Sequence, residues 1–435
     1  MHHIESILIL LLAAALLVRL ADLGKIPAPI VLVVGGLVIA FVPGLPEVEL
    51  EPDVVFLVFL PPLVYAAGWR TSPQELRAVM RPLGLLAIGL VFLTAAAVAV
   101  VAHLTVPGLS WAEAAVLGAV LAPTDAVAAT AIFGRLGAPE RVRLVIEGES
   151  MINDGTALVI YRIAVGVATG SAFSFGGAAL EFVGVALGGI AVGLAVGFVS
   201  DLVIRRQTDS GLSIFLSVLT AYGAYIGAEE AHVSGILAAV VAGVYAGYRS
   251  PLSLDADIRL SAVAFWNVLT FGLEISLFVL LGLQLPGVVD TLHEGGSGVR
   301  DLLWPVAAIA IASIGVRLAF VFAMRSDGGE RFGERFAIGW SGMRGAVSLA
   351  AALAVPLDVP ARPQIIFLTF ALILVTLGGQ GLSLPFVIRK LRLEQPRRWS
   401  DEEAVARMEA AQAALDRLGD GGRGASFGDA VEATP

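Results

Sequence analysis

The sequence contains no cysteine and few charged residues. Without thiols, the chain forms no disulfide and no thiolate metal site. Charged residues make up 15% of the 435 positions and hydrophobic residues 57%, whereas about a quarter of the residues in a soluble domain are charged. The mean hydropathy is +0.86, and apolar runs long enough to cross a bilayer recur along almost the whole length. The composition therefore predicts an all-α polytopic membrane protein.

The phosphate-binding pattern GxxxxGK[ST] is also absent. Nothing in the sequence therefore indicates work driven by nucleotide hydrolysis. We expect neither a nucleic-acid partner nor an enzymatic activity, and the expected partner along most of the chain is the lipid bilayer.

Thirteen apolar segments are predicted to span the membrane. The first has no Lys or Arg before it and carries Arg19 and Lys25 at its far end, the reverse of the charge order in a signal peptide. We interpret it as a spanning helix whose N-terminus lies outside. The predicted spans are residues 4–22, 27–43, 52–68, 80–104, 111–134, 143–168, 177–204, 210–228, 231–249, 260–286, 300–324, 334–356 and 363–390.

Basic residues alternate between the loops on the two sides of these spans. One set of loops carries most of the arginines, whereas the alternate set carries only Arg300 and Arg362, together with several acids. The positive-inside rule places the arginine-rich set in the cytoplasm. This topology puts the C-terminus inside, and the expected location is the plasma membrane.

The composition changes after the last span. We predict a transmembrane domain at 1–392 and a short cytoplasmic tail at 393–435. Ser400 and the acids that follow it resemble the start of a helix, which we predict over 400–418, and the Gly-rich end is expected to be disordered.

The first polar cluster inside a span is "LAPTDAVAATAI", residues 121–132. Pro123 lies in mid-span and has no N–H to donate, so it predicts a helix break. The break would free backbone carbonyls close to the Thr124 hydroxyl and the Asp125 carboxylate, and oxygen ligands of this kind suit a small hard cation. The alternative is a kinked structural helix with Asp125 paired to an arginine.

The second cluster is "ESMINDGTALVIY", residues 149–161. On a helix, Glu149 and Asn153 share one face, and Ser150 and Asp154 share the adjacent face. The pattern places an amide oxygen and a carboxylate at one depth in the membrane. The alternative is a polar stripe that bonds a neighbouring helix.

The third cluster, "GMRGAVSLAAAL", contains Arg344 in mid-span. A buried guanidinium requires an acid, and by elimination we predict a structural ion pair with Glu149. Glu274 in the tenth span either lines a pathway or bonds a helix. Arg162 and Arg317 lie nearer span ends and are predicted to snorkel.

The fifth and twelfth spans carry similar Ala-rich segments after Asp125 and Arg344. Seven spans separate them, so their orientations in the membrane are opposite. This arrangement predicts inverted repeats with broken helices, as in secondary transporters. If Asp125 and Asp154 share one cavity, a proton and a cation compete for the same oxygens, which produces obligatory exchange.

Together these stretches identify the chain as a member of the sodium/proton exchanger family, in the branch of NhaP-type bacterial antiporters and animal NHE exchangers. The resemblance covers nearly all of residues 1–392. Four segments carry most of it: "FLPPLVYAAGWRTS" (59–72), "PTDAVAATAIFGRLG" (123–137), "EGESMINDGTALVIYRIA" (147–164) and "GMRGAVSLA" (342–350).

The resemblance implies an ion site. Its Thr-Asp and Asn-Asp pairs match Thr124, Asp125, Asn153 and Asp154, with Asp154 as the central carrier of ion and proton, and Ser150 matches a residue that helps to bind the cation. Na⁺ would be held by Asp125, Asp154, Thr124 and Ser150. Na⁺ and H⁺ are the transported cargo, and no cofactor is implied.

The resemblance also implies a fold and an assembly. The family has thirteen helices of the NhaA-like antiporter fold, divided into core and dimerisation helices, and forms homodimers. It contains an ion pair that Glu149 and Arg344 match, and its Asn-Asp pair accompanies electroneutral exchange.

Two positions depart from the family pattern, and rival functions remain. Ala126 replaces a proline that many members carry after Asp125, and Ala66 replaces a glutamate in the third helix. The nearest alternative function is K⁺ or Li⁺ exchange for protons. An intramembrane aspartyl protease is a remote alternative, because neither aspartate has a GxGD context.

Overall fold

The computed structural model describes residues 2–24, 26–42, 55–71, 73–137, 139–294, 298–324 and 331–393, together with residues 408, 409 and 412. The chain divides into two compact units, Met1–Leu393 and Glu394–Pro435. The described residues of the first unit form helices and no strand. The predicted tail helix 400–418 lies outside the described residues except for three positions, which are helical.

Within its described residues, the first unit contains eighteen α-helices. They are α1 His2–Gly24, α2 Ala28–Ala40, α3 Leu60–Arg70, α4 Pro73–Gly84, α5 Val91–Thr105, α6 Trp111–Leu121, α7 Ala126–Leu136, α8 Glu140–Ala168, α9 Phe175–Ile204, α10 Ser210–Glu230, α11 Gly235–Ser253, α12 Ala256–Leu283, α13 Leu285–Glu294, α14 Val299–Ala323, α15 Phe332–Trp340, α16 Ala346–Leu353, α17 Arg362–Thr376 and α18 Leu382–Lys390.

Short π-helical turns extend three of these helices. They are Val55–Phe59 before α3, Leu85–Leu90 between α4 and α5, and Leu377–Gly381 between α17 and α18. Each of the thirteen predicted spans falls on one or two described helices. Eight helical stretches among the described residues are long and apolar enough to cross a membrane. The prediction of an all-α polytopic membrane protein is thereby confirmed.

The helices α1–α3 and α9–α12 pack together in what we call the scaffold group. Glycines allow their backbones to approach closely. A Cβ atom added to Gly243 of α11 would lie 2.2 Å from the Tyr65 carbonyl of α3, and one added to Gly193 of α9 would lie 2.4 Å from the Ala238 carbonyl of α11. Any larger side chain there would force the helices apart.

The helices α4–α8 and α14–α18 form a second set, the crossing group. It contains two interrupted spans, because residues 122–125 separate α6 from α7 and residues 341–345 separate α15 from α16. The two interruptions touch, since the Asp125 N–H donates to the Met343 carbonyl at 2.8 Å. The predicted broken helices therefore exist and cross each other.

Candidate functional site

The first helix break is held open by a charged donor. Where α6 ends, its last carbonyls have no partner within the helix, and Pro123 cannot donate a bond of its own. The Arg344 guanidinium donates to the carbonyls of Ala122 and Pro123, at 2.6 Å each. Bonds from a charged donor are stronger than neutral ones, so Arg344 stabilises the C-terminal end of α6.

The second break has a matching arrangement. Arg317 of α14 donates to the Ile338 carbonyl in the last turn of α15, at 3.2 Å from Nε and 3.1 Å from its terminal nitrogen. The other branch of Arg344 donates to Ser313 at 2.6 Å. The Arg344 backbone N–H donates to the Thr376 hydroxyl at 3.1 Å. Both arginines therefore brace the crossing through backbone carbonyls.

The predicted ion pair between Glu149 and Arg344 is wrong. Glu149 instead forms a two-pronged ion pair with Arg317, one prong of which joins a guanidinium nitrogen to Oε2 at 2.7 Å. Both side chains are only 2% exposed. Arg344 directs its two terminal nitrogens elsewhere, to the carbonyls of Ala122 and Pro123 and to the Ser313 hydroxyl.

The prediction that Arg317 snorkels towards the membrane interface is wrong, because its side chain is fully buried. One signal could have revealed it. Ser313 and Arg317 are four residues apart and share a face of α14, which is the pattern of a polar stripe turned towards other helices.

The Asn153 side chain forms a hydrogen bond with Thr124. The Asn153 amide donates to the Thr124 hydroxyl at 2.8 Å, and that hydroxyl donates to Glu149 at 3.0 Å. Asn153 is completely buried and is not among the described residues that line the cavity below. Its amide therefore orients Thr124 within the Glu149–Arg317 network.

A cavity of about 340 Å³ lies between the two helix groups. Four of the predicted ion-binding residues line it together: Thr124, Asp125, Ser150 and Asp154. The Ser150 hydroxyl also accepts a bond from the Ala126 N–H at 3.2 Å. Asp154 is 9% exposed, and no described residue makes a hydrogen bond or ion pair with its carboxylate. The structure thus gathers the side-chain oxygens of these four residues around one cavity.

Asp125 caps the second half of its broken helix. Its Oδ1 accepts a bond from the Val127 N–H at 2.8 Å, at the start of α7. Its Oδ2 lies against Gly345, where an added Cβ atom would stand 1.9 Å from that oxygen. The N-terminal ends of α7 and α16 thus both meet this carboxylate, and their partial positive charges favour an anion there.

The outer part of the cavity carries charges of both signs. Arg70 of α3 and Glu274 of α12 line the scaffold side, and Arg143 and Glu147 of α8 line the crossing side. Arg70 is held by the Thr270 hydroxyl at 2.7 Å, and Arg143 pairs with Glu147 at 2.9 Å. Glu274 therefore faces the cavity.

Ala66, where many family members carry a glutamate, lies elsewhere. It is fully buried in an apolar cluster of the scaffold group with Tyr65 and Trp266, whose ring centroids are 5.2 Å apart. It is not among the lining residues of the cavity.

Comparison with known proteins gives a consistent result. A family model described as "Sodium/hydrogen exchanger, transmembrane" matches residues 7–390. An uncharacterized Na⁺/H⁺ exchanger of Mycobacterium bovis is 39% identical over 91% of this chain and 76% of its own. The low-affinity Na⁺/H⁺ antiporter NhaS1 of Synechocystis is 33% identical over 96% of this chain and 80% of its own.

A solved structure shares the fold. The sodium proton antiporter MjNhaP1 from Methanocaldococcus jannaschii aligns with a TM-score of 0.72 over 91% of this chain and 100% of that chain. The identity is 21%, so this likeness concerns the fold alone.

We predict that the variant Arg317→Met is strongly destabilised, because it leaves the buried Glu149 carboxylate without its ion partner. Removing one partner of a buried pair lowers the free energy of unfolding by about 3–5 kcal/mol. The double variant Glu149→Gln/Arg317→Met should lose less than the sum of the two single changes. Thermal unfolding in detergent measures this coupling, and additive losses would contradict the pair.

We predict that the variant Gly345→Ala folds but loses ion transport, because its new methyl group displaces the Asp125 carboxylate. Gly134→Ala on α7 is the matched control, since a Cβ atom there meets nothing within 4 Å. Cation-dependent proton flux in vesicles measures the effect. Normal flux in Gly345→Ala would show that Asp125 needs no such space.

Proposed function

The chain belongs to the sodium/hydrogen exchanger family, and from this premise we propose that it exchanges Na⁺ for H⁺ across the plasma membrane, in pH and sodium homeostasis. The observation that carries the proposal is the pair of carboxylates, Asp125 and Asp154, at the inner end of one cavity. Neither forms an ion pair with an arginine among the described residues, so both are available to a cargo ion.

The two cargoes compete for the same oxygens. Two carboxylates in apolar surroundings repel each other when both are ionised. Either a proton or Na⁺ relieves that repulsion, and hydroxyl oxygens from Thr124 and Ser150 complete a set that suits a hard cation. Binding of one cargo expels the other, and exchange follows if only the loaded protein changes its access.

Exchange in this proposal moves one Na⁺ for one H⁺. The residue next to Asp154 is Asn153, an amide that carries no titratable proton. Asn153 bonds Thr124, and in the family that this chain resembles an Asn-Asp pair accompanies electroneutral exchange, which supports the one-for-one ratio. Glu274 belongs to the proposed pathway because it lines the same cavity as Asp125 and Asp154.

The cavity position supports the predicted topology. Its outer part lies where α3 ends, at Arg70, and where α8 begins, near Arg143. Both residues belong to the arginine-rich loops that the positive-inside rule places in the cytoplasm. In this topology the N-terminus is outside, the C-terminus is cytoplasmic and the cavity faces the cytoplasm. The homodimer implied by the resemblance stays a prediction.

We expect Na⁺ to dequench a pH-sensitive dye in acid-loaded everted vesicles that contain the protein, because entering Na⁺ exports protons from the vesicle lumen. Li⁺ and K⁺ are added in parallel. A response to K⁺ or Li⁺ without Na⁺ would select the alternative cation preference. No response to any of the three would overturn the antiport proposal.

The variant Asp154→Asn should abolish the response to Na⁺ while its folding is retained, since the amide has the same shape but binds no proton. Asp257→Asn, a change at an exposed acid in the first turn of α12, is the matched control and should exchange normally. Exchange that survives in Asp154→Asn would remove this residue from its central role.

Electroneutral exchange predicts that the initial rate does not follow the membrane potential. Proteoliposomes clamped at positive and negative potentials should therefore show equal rates of Na⁺-dependent proton flux. A rate that rises with one sign of potential and falls with the other would refute the one-for-one stoichiometry.

A further inference from the structure

Arg162 of α8 forms an ion pair with Glu229 near the end of α10. The other carboxylate oxygen of Glu229 accepts a bond from the Gly235 N–H, at 3.1 Å, where α11 begins. The two side chains are 41% and 34% exposed. Arg162 thus ties α8 to the end of α10, beside the turn between two scaffold helices.

This ion pair lies beyond the closed end of the cavity. Along α8 the cavity is lined by residues from Arg143 to Asp154, and its described lining goes no further along this helix. Arg162 comes eight residues after Asp154, which is about 12 Å along an α-helix. The carboxylate of Asp154 is thus approached from one end of α8, and the ion pair stands at the other.

An apolar layer separates Asp154 from the ion pair. A Cβ atom added to Gly155 would lie 2.8 Å from the Leu237 side chain, so α8 and α11 are in close contact there. Leu158, between Asp154 and Arg162 on α8, packs against a buried cluster that includes Ile236 of α11. The two helix groups therefore touch closely between Asp154 and Arg162.

The two residues of the ion pair belong to different helix groups, Arg162 to the crossing group and Glu229 to the scaffold group. The crossing group holds α8 through the Glu149–Arg317 pair and the bond between Ser150 and Ala126. The scaffold group holds Glu229 through α11, which packs closely on α3 and α9. A displacement of one group against the other must change the distance between Arg162 and Glu229.

We propose that the Arg162–Glu229 pair is a clasp that keeps this end of the molecule closed while the cavity is open at the other end. Access from the far side requires the clasp to break. A half-exposed ion pair contributes little to stability, which suits a contact that must open and reform in each transport cycle. The clasp biases the balance between the two access states, and this role rests on the proposed antiport.

The native chain has no cysteine, so one reporter thiol can test the clasp. The variant Leu158→Cys places the thiol in the apolar layer, four residues from both Asp154 and Arg162. A membrane-impermeant maleimide is applied to intact cells and, separately, to everted vesicles. Labelling in intact cells should be slow when the clasp is intact.

Adding Glu229→Gln or Arg162→Gln should raise the labelling rate in intact cells several-fold, because the closed end opens more often. The swapped pair Arg162→Glu/Glu229→Arg should restore slow labelling. Glu230→Gln, a change at the exposed neighbouring acid, is the control and should have no effect. An unchanged rate in both single variants would overturn the clasp, and this readout does not depend on cation exchange.

A second experiment fixes the clasp covalently. In the variant Arg162→Cys/Glu229→Cys, a short reducible linker that reacts with both thiols should stop Na⁺-dependent proton flux, and a reductant should restore it. Each single-cysteine variant, treated alike, should keep its flux. Continued flux in the linked protein would overturn the clasp. If flux is absent both in the native chain and in the variant before linking, the result counts against the antiport proposal instead.

Discussion

The structure depends on how two broken helices satisfy their backbone ends away from water. In a lipid environment an unpaired carbonyl or N–H is strongly unfavourable, so each break needs its own donor or acceptor. Arg344 serves the end of α6, Arg317 serves the end of α15, and Asp125 caps the start of α7. A backbone bond from Asp125 to Met343 joins the two breaks. These few contacts fix where the cavity carboxylates lie.

The same contacts keep the buried arginines away from the cavity carboxylates. Glu149 neutralises Arg317, and Arg344 donates to the carbonyls of Ala122 and Pro123 and to Ser313. Neither buried guanidinium is therefore drawn to Asp154, one turn and a residue further along α8 from Glu149. A carboxylate in an ion pair with an arginine could not exchange Na⁺ for a proton. Both buried arginines thus have partners other than the cavity carboxylates, Arg317 in Glu149 and Arg344 in neutral backbone and hydroxyl oxygens.

Helical period, a mid-span proline and polar residues in apolar runs are local signals, so the sequence predicts the spans, the breaks and the four side chains that line the cavity together. Pairing between helices that are distant in sequence has no such local signal. Glu149 was assigned to Arg344 by elimination, and only the packing of α14 against the crossing brings Arg317 to it. The partner of Arg162 is likewise not a local signal, since no pattern in α8 shows that Glu229 lies opposite.

The continuity of α8 has a mechanical consequence. This helix runs unbroken from Glu140 to Ala168, and it carries the cavity mouth at one end, Asp154 in the middle and Arg162 near the other. When a rigid helix tilts so that the gap beside one end widens, the gap beside its other end narrows. Two gates on separate helices could be open at the same time and let ions leak through, whereas the two ends of one rigid helix cannot both be open.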